Sequence, residues 1–137
     1  MKIYFAGSIR AGREDVPIYE EIIKHLKIYG EVLTEHVGDK TLSARGDESP
    51  DERLIHDRDM DLLKQCDAVV AEVTIPSAGV GYEIAKAVQM QKKILCLYRP
   101  TSGGKRLSAM IAGCPDVTNE NYKDIGEAKK TIDHFIS

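Results

Sequence analysis

Residues 67–73, Asp-Ala-Val-Val-Ala-Glu-Val, form an almost unbroken run of small and β-branched side chains. A strand apolar on both faces must be covered on both, which is the condition of a central strand in a parallel sheet flanked by helices. Residues 93–98 (Lys-Ile-Leu-Cys-Leu-Tyr) form a second run of this kind. A third, residues 2–6, is closed by Gly7-Ser8 and reads as a strand entering a turn. The segments between these runs change to helical spacing. From residue 14 to 29 the apolar positions are Val16, Tyr19, Ile22, Ile23, Leu26 and Tyr29, and Gly30 marks the stop. Residues 31–36 read as a strand and residues 38–50 as a polar loop. Ser49 or Asp51 is placed to cap a helix running to about Cys66, with Leu54, Ile55, Met60, Leu62 and Leu63 as its apolar positions. Further helices are expected over 80–90, 107–112 and 125–136, with a Ser/Gly loop at 101–105 and a short strand near Val117. Strands alternate with helices throughout. The expectation is an α/β fold: one domain spanning 1–137, built as a three-layer sandwich around a mainly parallel sheet of about five strands.

The chain has 137 residues, 42% hydrophobic and 30% charged, enough for one core. A net charge of −3 without a basic run argues against a nucleic-acid polymer as partner, because a phosphate backbone is gripped by clustered Lys and Arg. No apolar stretch approaches membrane-spanning length, and the N-terminus turns polar too soon for a signal peptide. Cys66, Cys96 and Cys114 are odd in number, widely spaced and without a CxxC pattern. Neither a disulfide framework nor a metal site is indicated; Cys66 and Cys96 suit small buried thiols, and the set fits a reducing cytoplasm.

In open parallel sheets, ligands sit beyond the carboxyl ends of the strands. Three segments fall there: Gly7-Ser8-Ile9-Arg10, residues 77–83, and residues 106–110. A Ser/Gly turn opening a helix presents unpaired N–H groups and the positive end of the helix dipole. Ser77 and Gly79 fit that role with Ser8 beside them, although many such turns use Ser and Gly for geometry alone. Glu83 falls in the first turn of the expected 80–90 helix. It is either a nucleophile toward an anomeric carbon or a plain N-terminal helix charge. Asp57, Asp59 and Asp61 cannot all face the same way on a helix. One of them beside Glu83 would supply the second carboxylate that glycosidic cleavage needs, whereas a solvated acidic face accounts for the run equally well. His36 ends its strand and either touches a base or sugar or bonds a neighbouring loop. Tyr4 suits the core with its hydroxyl satisfied at the edge, and Tyr19 suits the core.

Taken together, residues 4–15, 32–36, 54–59, 67–74, 79–83, 94–100 and 107–111 resemble, in order and over nearly the whole chain, the nucleoside 2-deoxyribosyltransferase family. Within that family the resemblance is to the 2′-deoxynucleoside 5′-phosphate N-hydrolases. It implies a Rossmann-like domain, no metal or other cofactor, and a homodimer. Glu83 matches the family's catalytic glutamate, which attacks C1′ and holds a 5-phospho-2-deoxyribosyl ester. Asp59 matches the aspartate beside the leaving base, and Tyr4 a tyrosine that assists the nucleophile. Ser8, Arg10, Ser77 and Gly79 match positions around the 5′-phosphate, and Ser108 a phosphate-contacting serine supplied by the second subunit. Ile9, His36, Ile55 and Met110 match residues near the base, while Gly7 and Ala109 complete the binding set. The chain departs from the family pattern at Gly103-Gly104-Lys105, which is longer than usual, and in the 38–50 loop.

The implied reaction releases a free base and 2-deoxyribose 5-phosphate. Without a 2′-hydroxyl, positive charge at C1′ is less disfavoured, so a nearby carboxylate can stabilise it and then bond to it. Asp59 would carry a proton to the departing base, and burial beside a second carboxylate raises a pKa in that direction. Three alternatives have distinct signatures. A deoxyribosyltransferase needs an acceptor base, a CMP-type N-glycosidase takes ribonucleotides, and a nucleotide sensor keeps the fold without turnover.

Overall fold

The computed structural model describes residues 1–8, 16–34, 52–100 and 106–137. In chain order the elements are β1 (Lys2–Ala6), α1 (Val16–Leu26), β2 (Glu31–Val32), α2 (Glu52–Gln65), β3 (Ala68–Glu72), α3 (Ala78–Gln89), β4 (Lys93–Tyr98), α4 (Ala109–Ala112), β5 (Thr118–Asn121) and α5 (Ile125–Ile136). The five strands form one sheet in the order β2-β1-β3-β4-β5, every pair parallel. This is the expected α/β architecture, with its switch point between β1 and β3, where the direction of strand progression reverses.

The pleat divides the core in two. Ile3, Phe5, Ala68, Val70, Leu95 and Leu97 pack against α1 and α5. Tyr4, Ala6, Val69, Ala71, Ile94 and Cys96 pack against α2 and α3. Because residues on both faces of β1, β3 and β4 are buried, those strands could not alternate polar with apolar positions. Cys66 and Cys96 are buried and all three cysteines are free, as expected from their spacing.

Several boundaries differ from the sequence reading. β2 ends at Val32, where residues 31–36 were expected as strand. Leu33 still donates to the Ile3 carbonyl at 2.9 Å. The Thr34 hydroxyl then takes over the ladder, accepting from the Phe5 N–H at 2.8 Å and donating to the Phe5 carbonyl. The chain enters β2 through Gly30, where a Cβ would lie 2.0 Å from the Met1 carbonyl oxygen. That close approach lets the Glu31 N–H donate to the same oxygen at 3.0 Å. Helix α2 buries Leu63, while Leu54, expected among its apolar positions, is 64% exposed. Burying one leucine is worth about 1.5–3 kcal/mol, so α2 is held mainly near its C-terminal end. No helix among the described residues is long and apolar enough to cross a membrane.

Candidate active site

The site is built at the carboxyl ends of β1 and β3. As β1 ends, Gly7 crosses the edge-to-face pair of Phe5 and Tyr19, whose ring centroids are 5.6 Å apart. A Cβ on Gly7 would lie 3.0 Å from the Tyr19 ring and 3.2 Å from Phe5, so a side chain there would push the strand end outward. Ser8 is thereby held fully buried, and its N–H donates to the Tyr19 hydroxyl at 3.1 Å. The Ser8 Oγ is buried and has no hydrogen-bond partner among the described residues. A buried hydroxyl left open at the switch point is a position for a ligand's polar group.

Tyr4, one residue before Phe5 and on the other face of the sheet, is fully buried and donates its hydroxyl to Glu83 Oε2. Glu83 differs from expectation in its place on the helix. α3 begins at Ala78 with Ser77 as N-cap, so Glu83 lies in the second turn and the first turn holds no acidic residue. The dipole acts mainly on the first turn. What shapes the electrostatics of Glu83 is burial, which pushes its carboxyl from an ordinary 4.5 to about 7. The Tyr4 hydrogen bond pulls it down and the nearby charge of Asp59 pushes it up. Tyr4 itself is raised by burial and then by the charges of Glu83 and Asp59, so it stays a donor over the working pH range.

Among the three aspartates of α2, Asp59 is turned toward this pair. Its side chain is 22% exposed, against 61% for Asp57. Arg58 Nε donates to Asp59 at 3.1 Å, while Asp57 meets His56 at 2.9 Å and Asp61 accepts from Gln65 at 2.9 Å. Ile55, one turn earlier on the same helical face, is half-buried. The carboxyl that burial lifts is Glu83, whereas the sequence reading expected this of Asp59.

Ser77 caps α3 by accepting from the Val80 N–H at 3.3 Å. The N–H groups of Ala78 and Gly79 have no carbonyl one turn back within the helix, which is the geometry of an anion site. Gly79 is exposed. Beyond this turn lies a cleft of ≈730 Å³ between α3 and the segment carrying α4, lined by Ser77, Val80, Ile84, Ser108, Met110 and others. Ser108 caps α4, accepting from the Met110 N–H at 3.3 Å, and Ser108 and Ala109 are exposed. The described residues therefore fall in two groups joined by α3: Tyr4, Asp59 and Glu83 on one side, Ser77, Ser108 and Met110 along the cleft on the other. Ile9, Arg10 and His36 lie outside the described residues.

Two features went unread in the sequence. His56 and the exposed Tyr82 bridge α2 to α3 through a 2.8 Å hydrogen bond beside Glu83. Glu72, fully buried at the end of β3, is hydrogen-bonded to Thr74 and Tyr122. A charged residue inside the apolar 67–73 run was the available signal for the second.

The profile of the nucleoside 2-deoxyribosyltransferase family matches residues 3–128. The 5-hydroxymethyl-dUMP N-hydrolase of Danio rerio is 54% identical over 139 residues, covering 99% of this chain and 96% of that protein. The protein of that name from Homo sapiens is 51% identical over 137 residues, covering 98% of this chain and 78% of its own. Among solved structures, the CMP N-glycosidase BcmB of Clostridium botulinum superposes with a TM-score of 0.67 over 97% of this chain and 99% of its own. At 23% identity it shares the fold. With the matched profile covering most of its length and relatives more than half identical, this chain belongs to the nucleoside 2-deoxyribosyltransferase family.

Proposed function

We propose that this protein hydrolyses the N-glycosidic bond of 2′-deoxynucleoside 5′-monophosphates, releasing the base and 2-deoxyribose 5-phosphate. The observation that carries the proposal is the hydrogen bond from the buried Tyr4 to the half-buried Glu83, with Asp59 beside it, at the sheet's ligand edge. Glu83 in its ionised form attacks C1′ and holds the sugar as an ester. Tyr4 donates to the carboxylate and orients it. Asp59 hands a proton to the departing base, and water then opens the ester. The 5′-phosphate rests on the first turn of α3 with Ser77 and Gly79 and draws on the open Ser8 hydroxyl. By the family resemblance, Arg10 is assigned to the phosphate and Ile9, His36, Ile55 and Met110 to the base. Phosphate contacts remote from the reacting bond serve to hold C1′ against Glu83.

The relatives' names put a 5-substituted deoxyuridylate first among the substrates to test. A homodimer fits the exposed Ser108, Ala109 and Met110, the last 84% exposed beside an apolar cleft, with Ser108 reaching the neighbouring subunit's phosphate. Sedimentation as a monomer at micromolar concentration rules that arrangement out. Three free thiols accord with a cytoplasmic setting, which cell fractionation tests.

The deciding experiment incubates the protein with dGMP or 5-hydroxymethyl-dUMP alone and resolves the products. Base release without an acceptor is the expected result, and release only on adding a second base makes the protein a transferase. Faster turnover of CMP than of any deoxynucleotide makes it a ribonucleotide glycosidase. Glu83→Ala is expected to abolish cleavage while nucleotide binding survives; wild-type turnover in that variant removes the mechanism.

A further inference from the structure

Glu72 is a fully buried carboxyl group that the reaction above does not use. It lies two residues beyond Val70, on the sheet face that packs against α1 and α5, opposite the face of Tyr4. It therefore cannot reach the sugar. Its oxygens accept from the Thr74 N–H at 2.8 Å, from the Thr74 hydroxyl at 2.8 Å, and from the Tyr122 hydroxyl. The Thr74 hydroxyl in turn accepts from the Arg99 N–H at 2.9 Å, and the Arg99 guanidinium lies 3.5 Å from the Tyr122 hydroxyl. One carboxyl group thus collects the segments that leave β3, β4 and β5. Burying a carboxylate is costly unless its oxygens are hydrogen-bonded, and here the donors come from the rim of the sheet that faces the ligand edge.

We propose that Glu72, acting through Thr74, is a positioning residue for the phosphate-binding turn at the start of α3. This rests on the reading that Ser77 and the first turn of α3 hold the 5′-phosphate. Thr74 is three residues before Ser77, and the intervening Ile75-Pro76 leaves little slack because proline fixes its own φ. Clamping Thr74 to Glu72 on one side and to Arg99 on the other sets where the helix begins.

The test uses Thr74→Val, which removes the hydroxyl at nearly constant volume, and Thr74→Ser, which restores it. Glu72→Gln serves as the second perturbation. The readouts are KM and kcat for the deoxynucleoside monophosphate, the Kd for 2-deoxyribose 5-phosphate, and the thermal midpoint. We expect Thr74→Val and Glu72→Gln to raise KM and the product Kd about tenfold, with kcat falling less, in keeping with the loss of a binding contact remote from the reacting bond. Thr74→Ser should return to within about threefold of wild type, and Thr74→Val should combine with Ser77→Ala less than additively. A purely structural role lowers the folded fraction, hence kcat per milligram, at unchanged KM and Kd; that result overturns the proposal, as does full additivity with Ser77→Ala. Failure of the functional reading looks different: the wild-type protein then cleaves no deoxynucleoside monophosphate, while the Kd comparison still decides whether Thr74 positions the turn.

Discussion

Replacing Tyr4 with Phe removes one hydroxyl from the site while keeping the ring that packs on Ala6, Val69 and the α2–α3 layer. In the wild-type protein that hydroxyl donates to Glu83, and the bond favours the ionised carboxylate. Burial raises Glu83 to about 7, so the bond restrains a larger rise. A hydrogen bond to a charged group is worth about 1.5–3 kcal/mol, and about 1.4 kcal/mol corresponds to one pH unit of titration. Without the bond, the Glu83 carboxyl should titrate roughly one to two pH units higher. If the ionised form is the nucleophile, the acid limb of kcat/KM moves upward by that amount. The loss at pH 7 is then about fivefold to fiftyfold and shrinks toward high pH. The assay is base release from one deoxynucleoside monophosphate across pH 5–9 for both proteins. The substrate's own phosphate ionisation near 6 is common to the two profiles and cancels in their ratio. A limb that stays in place, or moves to lower pH, refutes the claim that Tyr4 stabilises the Glu83 carboxylate.

Other expectations follow from the same geometry. Because the folded-state pKa of Glu83 lies above its ordinary 4.5, the ionised group costs stability: the contribution is full below about 4.5 and lost as pH rises through about 7. Glu83→Gln should therefore be the more stable protein at pH 8, by up to about 3 kcal/mol, with the difference closing by pH 4.5; calorimetry at the two pH values checks the sign. Ser8→Ala removes a buried hydroxyl that has no partner among the described residues, so thermal stability should hold or rise slightly while KM for the monophosphate increases about tenfold. An unchanged KM would remove Ser8 from the binding set.

The parts of the fold that were legible are those where one residue pattern has one physical solution. The 67–73 and 93–98 runs demanded cover on both faces, and the structure puts them at the centre of a parallel sheet. Helix α5 was read residue for residue, because Ala128, Ile132 and Phe135 lie on one helical stripe behind the Asp124 cap. What was not legible depends on partners distant in sequence. Tyr4 and Glu83 are 79 positions apart, and no local pattern announces their hydrogen bond. β2 was overestimated because Thr34 satisfies Phe5 through its side chain, an exchange invisible to strand propensity. Similarly, α3 starts two residues earlier than expected, since apolar spacing locates a helix's buried face better than the cap that begins it. That shift moved Glu83 out of the first turn and made burial, rather than the dipole, the main influence on its carboxyl.

The covalent step is open to direct observation. The protein should be mixed with saturating deoxynucleoside monophosphate, quenched in acid within milliseconds, digested and analysed by mass spectrometry. A phosphodeoxyribosyl adduct is expected on the α3 peptide, located to Glu83 and absent from Glu83→Gln. Burst release of base with an unmodified α3 peptide at every quench time, or an adduct on another residue, would contradict it.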